Sequence, residues 1–218
     1  MAGENKQRGP TSPGTLLGTF ITFEGCEGCG KTTQAKMLRD HLVSSGRDVI
    51  LVHEPGGTTV GAKIREILLE PGVTMSPITE ALLFAADRAQ QVKDVIRPAL
   101  QVGTIVISDR FVDSSLAYQG VGRGAGLEPV KNLNDWVTGG LEPHLTVYLD
   151  MPVEDSLARV GDRELDRIER ESLEFHENIR YAYSMLQRIY SYRYVVIDAA
   201  GTPETVHDRV VSEVEKII

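Results

Sequence analysis

The feature that most constrains this chain is the run Gly25-Cys-Glu-Gly-Cys-Gly-Lys31-Thr32. It lies between a β-branched, aromatic segment and an amphipathic one. It fits the pattern G-x-x-x-x-G-K-[ST] in full. Glycines let the backbone curl so that successive N–H groups point inward at phosphate oxygens. A helix beginning near Lys31 adds the positive end of its dipole. Lys31 brings a mobile charge for the β- and γ-phosphates, and Thr32 a hydroxyl ligand for Mg²⁺. The motif therefore predicts a triphosphate cradle over Gly25, Cys26, Glu27, Gly28, Cys29, Gly30, Lys31, Thr32 and Thr33.

The segments around the loop predict the fold. Residues 1–18 are rich in Gly and Pro and poor in apolar side chains, so they read as a disordered tail. Strands are expected at 19–24, 48–53, 104–108, 145–149 and 194–198. Helical spacing covers 31–45, 60–69, 79–100 with a break at Pro98, 127–138, 153–160, 173–192 and 203–218. Strands alternating with helices predict an α/β fold: a five-stranded parallel sheet flanked by helices on both faces. Residues 19–218 read as one domain, with a charged stretch at about 152–172 as a short lid.

Composition narrows the partners. With 218 residues, 41% hydrophobic and 25% charged, the chain can build one substantial core. No apolar run reaches the roughly 20 residues that span a bilayer, and the N-terminus lacks a secretory pattern. A cytoplasmic enzyme with no membrane partner is the simplest expectation. The net charge of −8 argues against a nucleic acid polymer as partner. The only two cysteines, Cys26 and Cys29, are spaced C-x-x-C inside the phosphate loop. No further ligands stand at zinc spacing, so they read as small loop residues. Oxidation to a disulfide would distort the loop.

No N-K-x-D-type guanine-reading motif is present, and no acidic pair ends the apolar strand at 104–108. That strand runs into Asp109-Arg110 instead. An Arg beside a metal-orienting Asp puts a bidentate phosphate fork next to the transferred group. This suits an acceptor that itself carries a phosphate, which points to a nucleoside monophosphate kinase.

At this point the chain resembles the bacterial thymidylate kinases. The motifs that carry the resemblance are Phe23–Gln34, Glu54-Pro-Gly-Gly-Thr58, Leu83-Phe-Ala-Ala-Asp-Arg88, Asp109–Gly120, and Leu165-Asp-Arg-Ile-Glu169 with Phe175-His176. The resemblance implies transfer of the γ-phosphate of ATP to dTMP, giving dTDP and ADP, with Mg²⁺ held by Thr32 and Asp109 and a homodimeric assembly. It implies that Arg110 and Arg65 hold the acceptor phosphate and that Glu27 accepts from the sugar 3′-OH. It places Phe84 as a stack on thymine, with Arg88, Ser114, Ser115, Gln119, Glu54 and Pro55 around the base and sugar. The residues acting on the transferred group would be Lys31, Asp109, Arg110, Arg163 and Arg167. Some relatives carry an Arg in the loop at the position of Gly28; this chain does not, so the lid arginines 163 and 167 are expected to meet the transition-state charge. Two departures stand out: His53 where an Arg is usual, and Phe111 where a Tyr is commoner. The alternatives are a kinase for another nucleoside monophosphate and a P-loop ATPase switch without an acceptor.

Overall fold

The computed structural model describes residues 16–161 and 164–218. Its centre is a five-stranded sheet in the order β2-β3-β1-β4-β5. The strands are β1 (Phe20–Glu24), β2 (Val49–His53), β3 (Ile105–Asp109), β4 (Leu145–Asp150) and β5 (Tyr194–Asp198). Every neighbouring pair is parallel, as the alternation of strands and helices predicts. Parallel strands cannot be joined by tight turns, so the connections are helices. In order they are α1 (Lys31–Ser44), α2 (Thr59–Leu69), α3 (Pro77–Gln91), α4 (Arg97–Gln101), α5 (Val112–Ser115), α6 (Leu127–Thr138), α7 (Val153–Ala158), α8 (Leu173–Ile189) and α9 (Pro203–Val214).

Strand alternation divides the interior. Ile21 and Phe23 of β1, Ile105 and Ile107 of β3, and Leu145, Val147 and Leu149 of β4 face one side. There they pack with Leu38 and Leu42 of α1 and Val206, Val210 and Val214 of α9. Phe20 and Val106 face the other side, against Ile96, Leu100 and Phe111. Helices α8 and α6 enclose a third cluster around Ile179, Tyr183 and Val130. Near the edge of the sheet, Arg193 donates to Asp113 at 2.6 and 2.8 Å and to Thr146 at 2.6 Å, tying the start of β5 to β4 and α5.

Three expectations need adjusting. The helix read as 79–100 starts at Pro77, where Ser76 accepts from the Thr79 N–H at 3.1 Å as an N-cap. It then passes through a π-helical turn at Val92–Ile96 before α4. Pro98 lacks an N–H and its ring crowds the preceding turn, and a wider turn accommodates both. Residues 112–122, not read as helical, form α5 and a π-helical segment at Leu116–Gly122. Leu17 and Gly18, placed in the tail by composition, donate backbone hydrogen bonds to the Leu100 carbonyl at 2.9 and 2.8 Å. Residues 1–15 of that tail lie outside the described residues.

The Asp113–Arg193 pair is almost fully buried on both sides. Removing one partner strands the other charge in the interior. Asp113→Ala is expected to lower unfolding free energy by roughly 3–5 kcal/mol, as measured by denaturant titration. A loss under 1 kcal/mol would mean the pair does not hold this edge.

Candidate active site

Register sets the level of the site. Phe23 of β1 and His53 of β2 both pair with Asp109 of β3, so three strands end together. Their carboxyl ends lead into the Gly25–Gly30 loop, the Glu54–Thr58 loop and Arg110. β1 is also where the strand order reverses, the position at which open parallel sheets leave a crevice. At the start of α1, Gly30 adopts φ 99, which turns the chain from loop into helix. Lys31 is buried, and its Nζ donates to the Cys26 carbonyl at 2.6 Å. The Thr32 hydroxyl donates to the Asp109 carboxylate.

Gly28 is obligatory for a steric reason. Its φ is 77, and an added Cβ would stand 2.0 Å from the Ser156 carbonyl oxygen. The Ser156 hydroxyl donates to the Glu27 carbonyl, so α7 rests directly on the phosphate loop. A loop arginine at this position has no room.

Arg110 is the hub. It is a non-glycine residue at φ 74, a costly conformation that persists only where its surroundings demand it. Its guanidinium donates to Glu27, to Ser114 Oγ at 3.0 Å, and to the Gly25 carbonyl and the Tyr118 hydroxyl at 3.3 Å. It also lies 4.9 Å from the Tyr118 ring centroid. Burial pushes the Glu27 carboxyl up, but Arg110 and Lys31 outweigh it and bring the pKa down to about 2. Glu27 is thus an anion across the usable pH range.

These groups open on a cleft of about 780 Å³. Its walls bring together Glu27, Gly28, Gly30, Lys31, Thr32, Thr33, Glu54, Pro55, Arg65, Phe84, Asp109, Arg110, Ser114, Ser115 and Gln119. His53, Tyr118, Asp166, Ile168 and Glu169 also line it. Arg65 is exposed and donates to the Pro55 carbonyl at 2.8 Å. Phe84 is half-buried, with its inner side against the apolar cluster.

Other expected residues lie elsewhere. Gly25, Cys26 and Cys29 form the back of the loop rather than the cleft lining. Arg88 is 1% exposed, behind the wall. Its guanidinium is spent on Glu54 at 2.6 and 2.8 Å, Ser115 at 2.8 Å, the Phe111 carbonyl at 2.9 Å, and Asn134. It braces the residues that reach the cleft. Arg167 points away, donating to the Leu68 carbonyl at 2.8 Å and pairing with Glu80 at 2.7 Å. Arg163 lies outside the described residues. Cys26 and Cys29 are free and buried. Burial raises both thiols, Cys26 to about 12 with Cys29 adding to it. A thiol so held is a poor nucleophile, so the structure gives the C-x-x-C spacing no redox activation.

Sequence reasoning assigned no role to Glu24, Tyr118 or Tyr183. The Glu24 carboxylate, fully buried, accepts from the Phe111 N–H at 2.8 Å, Ser114 Oγ at 2.6 Å and Tyr183 Oη at 2.8 Å. It thereby fixes the chain just beyond Arg110. The available signal was an acid at the end of an otherwise apolar strand.

Two arginines, Arg65 and Arg110, line this cleft in addition to Lys31. An acceptor that itself carries a phosphate needs such charge, and this is the plan of a P-loop nucleoside monophosphate kinase. A family model described as thymidylate kinase matches residues 23–210. A curated thymidylate kinase of Thermoanaerobacter sp. (strain X514) is 46% identical over 203 residues, 93% of this chain and 100% of the relative. One of Synechococcus sp. (strain JA-2-3B'a(2-13)) is 50% identical over 196 residues, 90% of this chain and 94% of the relative. The chain belongs to the thymidylate kinase family.

Glu24 gives the site a pH signature. Burial, with Asp113 nearby, raises its pKa from 4.5 to about 7. The folded protein therefore keeps a proton that the unfolded chain releases. The resulting stabilisation is complete below about 4.5 and is lost as pH rises through about 7. Glu54, raised to about 7 by burial against the pull of Arg88, slopes the same way. Unfolding free energy should fall across this window, and Glu24→Gln should flatten the fall by on the order of 1–3 kcal/mol. Denaturant titrations of both proteins across the window check this; identical slopes would refute it.

Proposed function

We propose that the chain transfers the γ-phosphate of ATP to dTMP, yielding dTDP and ADP for dTTP synthesis. The observation that carries this reading is that one continuous cleft joins the Lys31–Thr32 end of the phosphate loop to Arg110, Arg65, Phe84 and Gln119. A hydrolase needs only the first half. The relatives' names, thymidylate kinase, supply the acceptor.

In this reading the phosphate-loop amides and Lys31 hold the ATP phosphates. Arg110 and Arg65 hold the acceptor phosphate, and Glu27 accepts from the sugar 3′-OH. Phe84 stacks on the base, while Glu54, Pro55, Ser114, Ser115 and Gln119 bound it. Arg88 supports that wall through Glu54 and Ser115. The acceptor oxygen is already anionic, so no general base is required. Catalysis rests on alignment and charge neutralisation, with no covalent intermediate.

Thr32 and Asp109 fit a Mg²⁺ site: their oxygens meet beside Lys31 at the cleft. A hard-oxygen pair of this kind suits Mg²⁺ that takes its remaining ligands from phosphate and water. When bound, Mg²⁺ neutralises charge developing on the phosphates.

The lid arginines 163 and 167 complete the charge at the transferred group in this reading. Arg167 must leave Glu80 to do so. The protein acts as a cytoplasmic homodimer, a reading in keeping with the exposed apolar side chains Val60 and Ile67 of α2 and Ile78 and Leu82 of α3.

Coupled ADP formation tests the reaction. Turnover should be low with ATP alone and rise strongly with dTMP. Acceptor-independent turnover would favour an ATPase switch, and preference for another monophosphate would move the substrate. Lys31→Ala should abolish turnover. Arg163→Ala and Arg167→Ala should lower kcat by up to about 10³ with a smaller effect on the KM for dTMP. Wild-type kcat in both would end the lid assignment.

A further inference from the structure

Glu80 takes part in none of the contacts used above except as the resting partner of Arg167. It stands in the first turn of α3, a position fixed by the Ser76 cap. It is 2% exposed, yet among the described residues it takes four hydrogen-bonding or ionic contacts from three side chains. Its Oε1 accepts from Gln119 Nε2 at 2.9 Å and from Arg123 Nε at 3.3 Å. Its Oε2 accepts from Arg123 Nε at 3.2 Å and lies 2.7 Å from Arg167 Nη2. Arg123 is itself held in place. It donates to Glu171 at 2.5 Å, and its guanidinium lies 4.6 Å from the Phe175 ring centroid. The carboxylate is therefore clamped between two guanidinium groups and offers Gln119 only acceptors.

That constraint determines the orientation of the Gln119 amide. A free glutamine amide can turn over and present either its oxygen or its NH₂ to a ligand. Here the NH₂ end is committed to Glu80. The end left for the cleft, which Gln119 lines, is the carbonyl oxygen. We propose that Glu80 is the specificity-determining positioning residue of the acceptor site. By holding the Gln119 amide with its oxygen toward the base, it selects a pyrimidine whose ring edge carries an imide N–H. Thymine and uracil have that N–H at N3. Cytosine has a bare acceptor there, and it would face the Gln119 oxygen lone pair to lone pair. A site whose polar group finds its partner in one base and an unmatched acceptor in the other discriminates more strongly than an apolar wall can. The inference deepens the function proposed above and rests on it.

Two variants separate the parts. Glu80→Gln supplies an amide that can donate or accept, so Gln119 is free to turn. Glu80→Asp keeps the charge that Arg123 and Arg167 need but withdraws the acceptor by one methylene. It guards against a folding failure of the first. The readout is the ratio of kcat/KM for dTMP to that for dCMP, with the KM for ATP measured alongside. In both variants the ratio should fall by about tenfold or more, the worth of one misplaced hydrogen bond. The change should be carried mainly by the KM values of the two acceptors, with the KM for ATP unmoved. A parallel loss for both acceptors at an unchanged ratio would overturn the assignment and make Glu80 a purely structural residue. If the unaltered enzyme shows no dTMP-dependent turnover, the functional reading itself fails and the inference with it. If it turns over dTMP while the variants keep its ratio, only the inference fails.

Discussion

Arg110 and Glu27 meet where the phosphate loop approaches the end of β3, and most of the cleft depends on that contact. The pair is mostly sheltered from water, with 14% and 21% of the two side chains exposed. At that depth each charge would be costly without the other. The pair fixes three things together. It holds the loop against the strand end through the further bond to the Gly25 carbonyl, and it aims the guanidinium into the cleft. It also leaves Glu27 ionised, with acceptor capacity for a hydroxyl. The left-handed backbone at Arg110 is the conformational cost of this geometry. Glu24, bonded to the Phe111 N–H and Ser114, holds the chain in that conformation from behind.

Helix α7 and the phosphate loop are linked by a steric fact at Gly28. The α7 backbone occupies the volume that a side chain there would need. A chain built this way cannot supply an arginine from that loop position. In this structure Arg167 is instead tied to α2 and α3 through the Leu68 carbonyl and Glu80. The same Glu80 holds Gln119, so a residue of the cleft wall and Arg167 share one carboxylate.

What was legible in the sequence follows the range of the interactions. The phosphate loop is local: glycines, Lys31 and Thr32 act within a few residues of one another, and the motif places them where the structure does. The sheet was legible because a buried parallel strand such as β3 must be apolar along its whole length. Arg88 and Arg167 were not legible in the same way. An arginine beside a motif reads as a ligand contact, and only the packed structure gives Arg88 to Glu54 and Asn134, and Arg167 to Glu80. The helical character of 112–122 was hidden because every position from Asp113 to Gly120 is buried, polar Ser114, Ser115 and Gln119 mixed with apolar Leu116 and Ala117, so no apolar stripe at helical spacing marks it. Glu24 and Tyr183 were hidden for a related reason: they are 159 residues apart, and neither has a role until the fold brings them to one hydrogen bond.

The central claim is that Glu27 and Arg110 act as one unit joining the donor and acceptor halves of the cleft. A double-mutant cycle with Glu27→Gln and Arg110→Met, read as kcat/KM for dTMP, tests it most directly. A large loss is expected in each single variant, with little further loss in the double variant. Losses that simply multiply would show that the two side chains work independently and would contradict it.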